Sequence, residues 1–291
     1  MSQWLTEELS DRWKQSIPVR VKICEVQSAF QKIELYETER WGTLLVIDGK
    51  IQACEFDEFV YHEMIAHLPL LSHPKPEKIM VIGGGDGGTL RESLLHPVKE
   101  ATLVEIDEEV IRLCQRYMPS LSHCISEDPR VKLVTSDAAV HIEQARDLDC
   151  ILVDSSDPEG PSESLFSPAF YASLKAALKP DGIVALQAGS PFFFETQLRQ
   201  AFRDLAHTFR YVRPYLIPIP TYPGGTWCLV TASDTIDPLA ISHAELAARM
   251  HDRKIGNLRY YSPATHTGSL SLPPFIQEWV PFPHQVDASA S

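Results

Sequence analysis

Basic residues are scarce in this 291-residue chain: 26 Lys and Arg stand against 39 Asp and Glu, a formal net charge of −13 at pH 7. Nucleic-acid affinity rests on cationic contacts to phosphate, so the balance argues against that partner and is compatible with a cationic one. Long apolar runs are also missing. None approaches the ~20 residues needed to span a bilayer, and Met1–Glu8 has neither the basic start nor the apolar core of a secretory leader. The expectation is a cytoplasmic protein that engages no membrane. The six cysteines (Cys24, Cys54, Cys114, Cys124, Cys150, Cys228) show no C-x-x-C spacing and read as reduced.

Several catalytic patterns are absent as well. There is no G-x-S-x-G elbow, no Walker lysine and no cluster of metal ligands. His62-Glu63 opens like the zinc pattern H-E-x-x-H, but the second histidine is His67, one residue late. At that spacing the two imidazoles sit on different helix faces, which rejects zinc. Neither a metal nor a prosthetic group is expected.

What is present begins with β patterning. Val19, Val21 and Ile23 alternate with Arg20 and Lys22, and Ile33 and Leu35 with Lys32 and Glu34, the period of half-buried strands. Leu44–Ile47, Asp48-Gly49 and Ile51 describe a hairpin with a D-G turn. This small antiparallel sheet, residues 1–56, must pack on a larger body or another subunit. A helix over 57–68 follows, with Val60, Met64 and Leu68 on its core face; it is expected to end at Leu68-Pro69. From Lys78 strands (79–83, 101–105, 131–135, 149–153, 183–187) alternate with helices (88–95, 107–118, 138–145, 168–178, 194–209). Asp107 and Ser167 are the expected caps of two of them. Such alternation gives a parallel sheet covered on both faces, within a domain spanning 57–291. The tail Gln285–Ser291 reads as disordered.

The glycine run Gly83-Gly84-Gly85-Asp86-Gly87-Gly88 lies between a predicted strand and a predicted helix, the context in which G-x-G-x-x-G binds a nucleotide. The next strand ends in Glu105, an acid suited to ribose hydroxyls. Asp86 is unusual, because a carboxylate inside that loop repels anions and favours a cation. The combination fits a sulfonium nucleoside bearing an amine better than NAD. Acids stand at four successive strand ends (Asp86, Glu105, Asp137, Asp154), and nearby carboxylates raise one another's pKa unless something cationic lies among them. Asp137 alone could equally be a helix cap. Asp157 follows Asp154 by three residues, on a loop stiffened by Pro158 and Pro161. The pair can hold two points of a polyamine or supply a base to an amine.

Val81–Gly88, Asp57–Met64, Val104–Asp107 and Asp154–Pro161, continued by Pro220–Gly225 and Tyr260–His266, together resemble the polyamine aminopropyltransferase family, spermidine synthases among them. The resemblance implies an α/β, Rossmann-like, methyltransferase-type parallel-rich sheet with a small N-terminal antiparallel β-domain. It implies transfer of an aminopropyl group from decarboxylated S-adenosylmethionine, the co-substrate, to a di- or polyamine, most simply putrescine, giving spermidine and methylthioadenosine. By the same resemblance Gln31, Glu105, Asp137, Ala138 and Pro161 hold the nucleoside, with Asp86 nearby. His62, Asp86 and the Asp154, Ser155, Ser156, Asp157 segment hold the amines, with Asp154 as proton acceptor. Tyr61, Gln187 and Tyr222 line the acceptor channel; Gln52 is a weaker match. Ala138 and Phe56 stand where the family commonly has glycine and arginine. A homodimer or homotetramer is implied. Two rivals share features: an S-adenosylmethionine methyltransferase, which must accept a carboxylate near Asp86, and a polyamine or nucleoside sensor without turnover.

Overall fold

The structure, a computed structural model, describes residues 3–10, 13–157 and 160–281, without the side chains of Ser10, Gly160 and Pro161. The tail 285–291 lies outside the described residues.

The first sheet is antiparallel and follows chain order: β1 (Gln3–Ser10), β2 (Trp13–Gln27), β3 (Lys32–Thr38), β4 (Thr43–Ile47) and β5 (Lys50–Cys54). Asp48 and Gly49 both take positive φ (48° and 78°), as a tight hairpin turn between β4 and β5 requires. One face, with Ile33, Leu35 and Leu45, packs on Val110, Leu113 and Met118 of the second body. The other, with Val19, Tyr36 and Leu44, reaches Tyr222. Val21 departs from the expected alternation. The register of β2 against β3 shifts between Val19 and Val21 and again between Lys22 and Cys24, and such irregularities re-aim side chains. Val21 is left 45% exposed.

Helix α1 (Glu58–Ser72) leads into the second body and runs through Pro69 instead of ending there. Its last turn is held from elsewhere in the chain. Arg249 donates to the carbonyls of Leu71 and Ser72, and Arg253 to that of Leu70. Carbonyl groups orphaned at a helix end are thereby satisfied.

The second sheet has seven strands. β6 (Lys78–Gly83), β7 (Glu100–Glu105), β8 (Val131–Thr135), β9 (Leu148–Asp154) and β10 (Leu178–Gly189) are parallel neighbours in the order β10-β9-β6-β7-β8. An antiparallel hairpin, β11 (Tyr211–Pro218) and β12 (Thr226–Ser233), extends it beyond β10, so the sheet is mixed with a parallel majority, in keeping with the parallel-rich sheet expected. Alternate strand residues serve the two faces. Ile79, Val81, Leu152 and Ala185 pack towards α1; Met80, Ile82, Ile151 and Val184 pack towards helices Pro168–Ala177 and Glu195–Thr208. Asp107 and Ser167 cap their helices as expected, accepting from the backbone of Glu109 and Phe170.

The chain passes from β6 outward to β7 and β8, then crosses back to β9 on the other side of β6. That reversal opens a crevice beyond the carboxyl ends of β6 and β9, where ligands of open α/β sheets bind.

Candidate active site

Gly83 at the end of β6 pairs in register with Asp154 at the end of β9, and Gly84 N–H donates to the Asp154 carbonyl at 2.8 Å. A Cβ on Gly83 would lie 2.3 Å from that carbonyl oxygen, and its φ is +72°, so only glycine fits. The contact places the Asp154 carboxylate against the glycine loop. Tyr61 donates to its Oδ1 at 2.7 Å and Thr89 to its Oδ2 at 2.7 Å. Burial and then the Asp86 charge push the Asp154 carboxyl up, against the His62 charge and the two hydroxyl donors. Burial and the Asp154 charge likewise push the Tyr61 phenol up, so it serves as a neutral donor.

Asp86 takes Gly88 N–H on Oδ1 at 2.7 Å, and the same oxygen lies 3.6 Å from Nε2 of His62. Nδ1 of His62 is 2.7 Å from Oε2 of Glu58, one turn earlier on α1. With a carboxylate at each nitrogen, only the imidazolium presents an N–H to both. Burial opposes that cation, but Asp86 and Glu58 outweigh it and hold the imidazole up to about 10. Asp86 is correspondingly lowered despite its burial. A Cβ on Gly88 would lie 2.2 Å from the imidazole, so the last glycine of the pattern makes room for His62.

The crevice is a cleft of about 1090 Å³. At one end Glu105, at the tip of β7, accepts Asp107 N–H at 3.0 Å; burial pushes its carboxyl up to about 7. Gln31 reaches across from the first sheet and donates to Asp107 at 3.0 Å. Asp137 caps its helix by accepting from Ala139 N–H at 2.8 Å and also lines the cleft, beside buried Ala138. Ile82, Val104, Val110 and Leu165 supply apolar walls there. An acid with few partners among apolar walls suits a ribose and a flat base.

At the other end lie Ser155, Ser156, Asp157, Gln187, Tyr222 and Gln52. Tyr222 donates to the Gln52 carbonyl, tying the second body to β5 of the first sheet. The Ser155 hydroxyl is buried and has no hydrogen-bond partner among the described residues. Glu7 on β1 closes this end, its carboxyl pushed up to about 7 by burial, with the Asp157 charge adding to the rise. Lys50 is the one basic residue on the walls among the described residues. A cleft so rich in carboxylate is built for cations.

Residues 58–240 match the spermine/spermidine synthase domain, and residues 3–55 match the spermidine synthase tetramerisation domain. The chain is 40% identical over 280 residues to a polyamine aminopropyltransferase of Shouchella clausii, covering 96% of this chain and 99% of that one. It is 39% identical over 279 residues to the Bacillus subtilis polyamine aminopropyltransferase, covering 95% and 98%. A spermidine synthase crystallised with the transition-state analogue AdoDATO superposes with a TM-score of 0.90 at 34% identity, covering 96% of this chain and 94% of that one. The chain belongs to the spermine/spermidine synthase family.

As a polyamine aminopropyltransferase it keeps its expected site residues together with one difference in placement. Gln31, Gln52, Tyr61, Asp86, Glu105, Asp137, Ala138, Asp154, Ser155, Ser156, Asp157, Gln187 and Tyr222 all line the cleft. His62 does not. It lies behind Asp86, 2% exposed, with both ring nitrogens engaged by carboxylates. The side chain of Pro161 lies outside the described residues. Glu7, Lys50 and Trp227 line the cleft without having been singled out. For Glu7 the one available signal was an acid in a strand-like run; Trp227 sits in an apolar stretch that carried no chemistry of its own.

Proposed function

We propose that this aminopropyltransferase uses decarboxylated S-adenosylmethionine as donor and putrescine as acceptor. The observation that carries the reading is Asp154, a half-buried carboxylate with a raised pKa, set at the switch point between the nucleoside end and the amine end of one cleft. Glu105, with Gln31, Asp137 and Ala138, takes the adenosyl part, and Asp86 the aminopropyl ammonium. The acceptor lies between Asp154 and the carboxylates of Asp157 and Glu7, which suit a second ammonium at the far end.

An amine with a pKa near ~10 is mostly protonated at neutral pH and is not a nucleophile. Asp154 takes one proton from the reacting ammonium, becoming the neutral acid, and the freed nitrogen lone pair attacks the CH₂ beside the sulfonium. The new C–N bond forms as the C–S bond breaks, and its electron pair stays on sulfur, leaving methylthioadenosine as a neutral thioether. Positioning of the two reactants contributes several kcal/mol to such a displacement. We also propose a homotetramer, since the first sheet matches a tetramerisation domain and Trp4 on its first strand is 61% exposed.

The test is incubation with decarboxylated S-adenosylmethionine and a panel of putrescine, cadaverine, agmatine and spermidine, with mass detection. Spermidine formed from putrescine at the highest kcat/KM is the expected result; preference for another amine would overturn the acceptor assignment. Light scattering at micromolar concentration tests the tetramer.

A further inference from the structure

Asp57 stands at the cap position of α1 yet does not cap the helix. An aspartate there ordinarily accepts an N–H from the first turn, but the Asp57 carboxylate makes no such bond. Both its oxygens go instead to one residue far along the chain. Oδ2 accepts Thr221 N–H at 2.8 Å, and Oδ1 accepts the Thr221 hydroxyl at 2.9 Å. Both residues are buried. Burial pushes the Asp57 carboxyl up, and the two Thr221 donors oppose that rise.

The turn so held, residues 219–225, carries one wall of the amine end: Tyr222 and Pro223 line the cleft. The Tyr222 ring lies 6.0 Å from that of Tyr61, which donates to Asp154 from a position one helical turn after Asp57. Two further ties run from the turn to the first sheet, Gln15 donating to the Thr221 carbonyl and Tyr222 to the Gln52 carbonyl. Among the described residues, Asp57 makes the hydrogen bonds that join the turn to α1. The helix is the fixed partner. Buried Glu63 on α1 accepts the backbone N–H groups of Arg259, Tyr260 and Tyr261 at 2.8, 2.8 and 2.7 Å, and the arginine-held last turn secures the far end. Release of Thr221 therefore frees the turn and leaves α1 in place.

We propose that Asp57 is a positioning residue for the acceptor: acting through Thr221, it sets the Tyr222 wall at a fixed distance from Tyr61 and Asp154. The proposal rests on the assignment of that end of the cleft to the acceptor amine. A wall that touches the amine equally in the ground and transition states contributes to KM and not to kcat. Glu105, at the tip of β7, keeps the nucleoside end as it was.

The experiment compares the intact protein with Asp57→Asn, Thr221→Val, Thr221→Ser and the double variant of the first two. Asparagine turns an N–H towards one of the two Thr221 donors; valine loses the hydroxyl and keeps the backbone N–H; serine keeps both. At saturating donor, KM for putrescine should rise about tenfold in Asp57→Asn and by a smaller factor in Thr221→Val. In both, kcat and methylthioadenosine affinity should stay within about twofold of the intact protein. Thr221→Ser should restore the intact KM. The double variant should match Asp57→Asn, because both changes break one tie. An unchanged KM in Asp57→Asn overturns the proposal. So does an equal loss of methylthioadenosine affinity, which marks a merely structural role, and so does full additivity in the double variant. If Asp57→Asn fails to fold, Thr221→Val against Thr221→Ser decides, and equal KM values overturn the proposal. If the intact protein prefers another amine, the acceptor assignment above fails, and KM for that amine reads the tie in its place.

Discussion

Tyr61 donates its phenol to Oδ1 of Asp154 at 2.7 Å, linking α1 to the end of β9 at the point where the two halves of the cleft meet. A donor to a carboxylate favours its charged form, so this contact opposes the rise that burial imposes on Asp154. Asp154→Asn keeps the shape and removes the proton acceptor; kcat should fall ~10²-fold or more while methylthioadenosine affinity changes little. Tyr61→Phe should be milder. Loss of the donor raises the Asp154 pKa further, so the acid limb of the kcat profile should move to higher pH. Near-normal turnover of Asp154→Asn at neutral pH would rule out its proposed role.

Glu105 supplies a prediction about pH. Its carboxyl is pushed up to about 7, chiefly by burial. Two ribose hydroxyls donating to it would favour the carboxylate and lower that value. Nucleoside binding below pH 7 must then release a proton, and affinity for methylthioadenosine should weaken as pH falls from 7 to 6. Calorimetry at pH 6 in buffers of differing ionisation enthalpy reads the proton directly. No release would remove Glu105 from the ribose.

Asp86 bears on the choice of donor. S-adenosylmethionine carries one more carboxylate than the proposed donor, and beside Asp86 that group meets a like charge in a partly dry cleft. Asp86→Asn should weaken decarboxylated S-adenosylmethionine by roughly 1.5–3 kcal/mol, the worth of a charge-assisted hydrogen bond. It should weaken S-adenosylmethionine less, or improve it. Equal losses for the two nucleosides, measured by calorimetry, would make Asp86 structural only.

His62 offers a test that needs no substrate. Its folded pKa, held up to about 10, lies above the ordinary 6.5, so the folded protein keeps a proton that the unfolded chain loses. The resulting stability is complete below pH 6.5 and is lost as pH rises through 10. Glu58→Gln removes one of the two anions and should bring both the imidazole titration and the alkaline loss of stability to lower pH. Imidazole NMR and melting curves from pH 6 to 10 report the two effects. A His62 that titrates near 6.5 in the unaltered protein would refute the imidazolium.

The parts of this fold that could be read beforehand are those whose causes lie close together in sequence. The glycine loop, the Asp48-Gly49 turn and the acids at the ends of β6, β7 and β9 each need only neighbouring residues to be recognised. What could not be read depends on distant partners. α1 runs on past Pro69 to a last turn whose carbonyls are held by Arg249 and Arg253, far along the chain. Val21 faces solvent because two register shifts depend on β3. Glu7 is buried although nothing around it in β1 marks an inward acid. His62 turns from the cleft because Glu58 and Asp86 claim its nitrogens and Gly88 leaves room for the ring.

The arginine-held last turn of α1 makes the cleft depend on a stretch that contributes nothing to its walls. A chain cut before residue 243 would retain every described residue lining the cleft, yet would leave the carbonyls of Leu70, Leu71 and Ser72 without their guanidinium partners. The same helix carries Tyr61 and His62 near its other end. Trimming this enzyme from its carboxyl side, or grafting its cleft onto a shorter scaffold, therefore requires a substitute for that clasp.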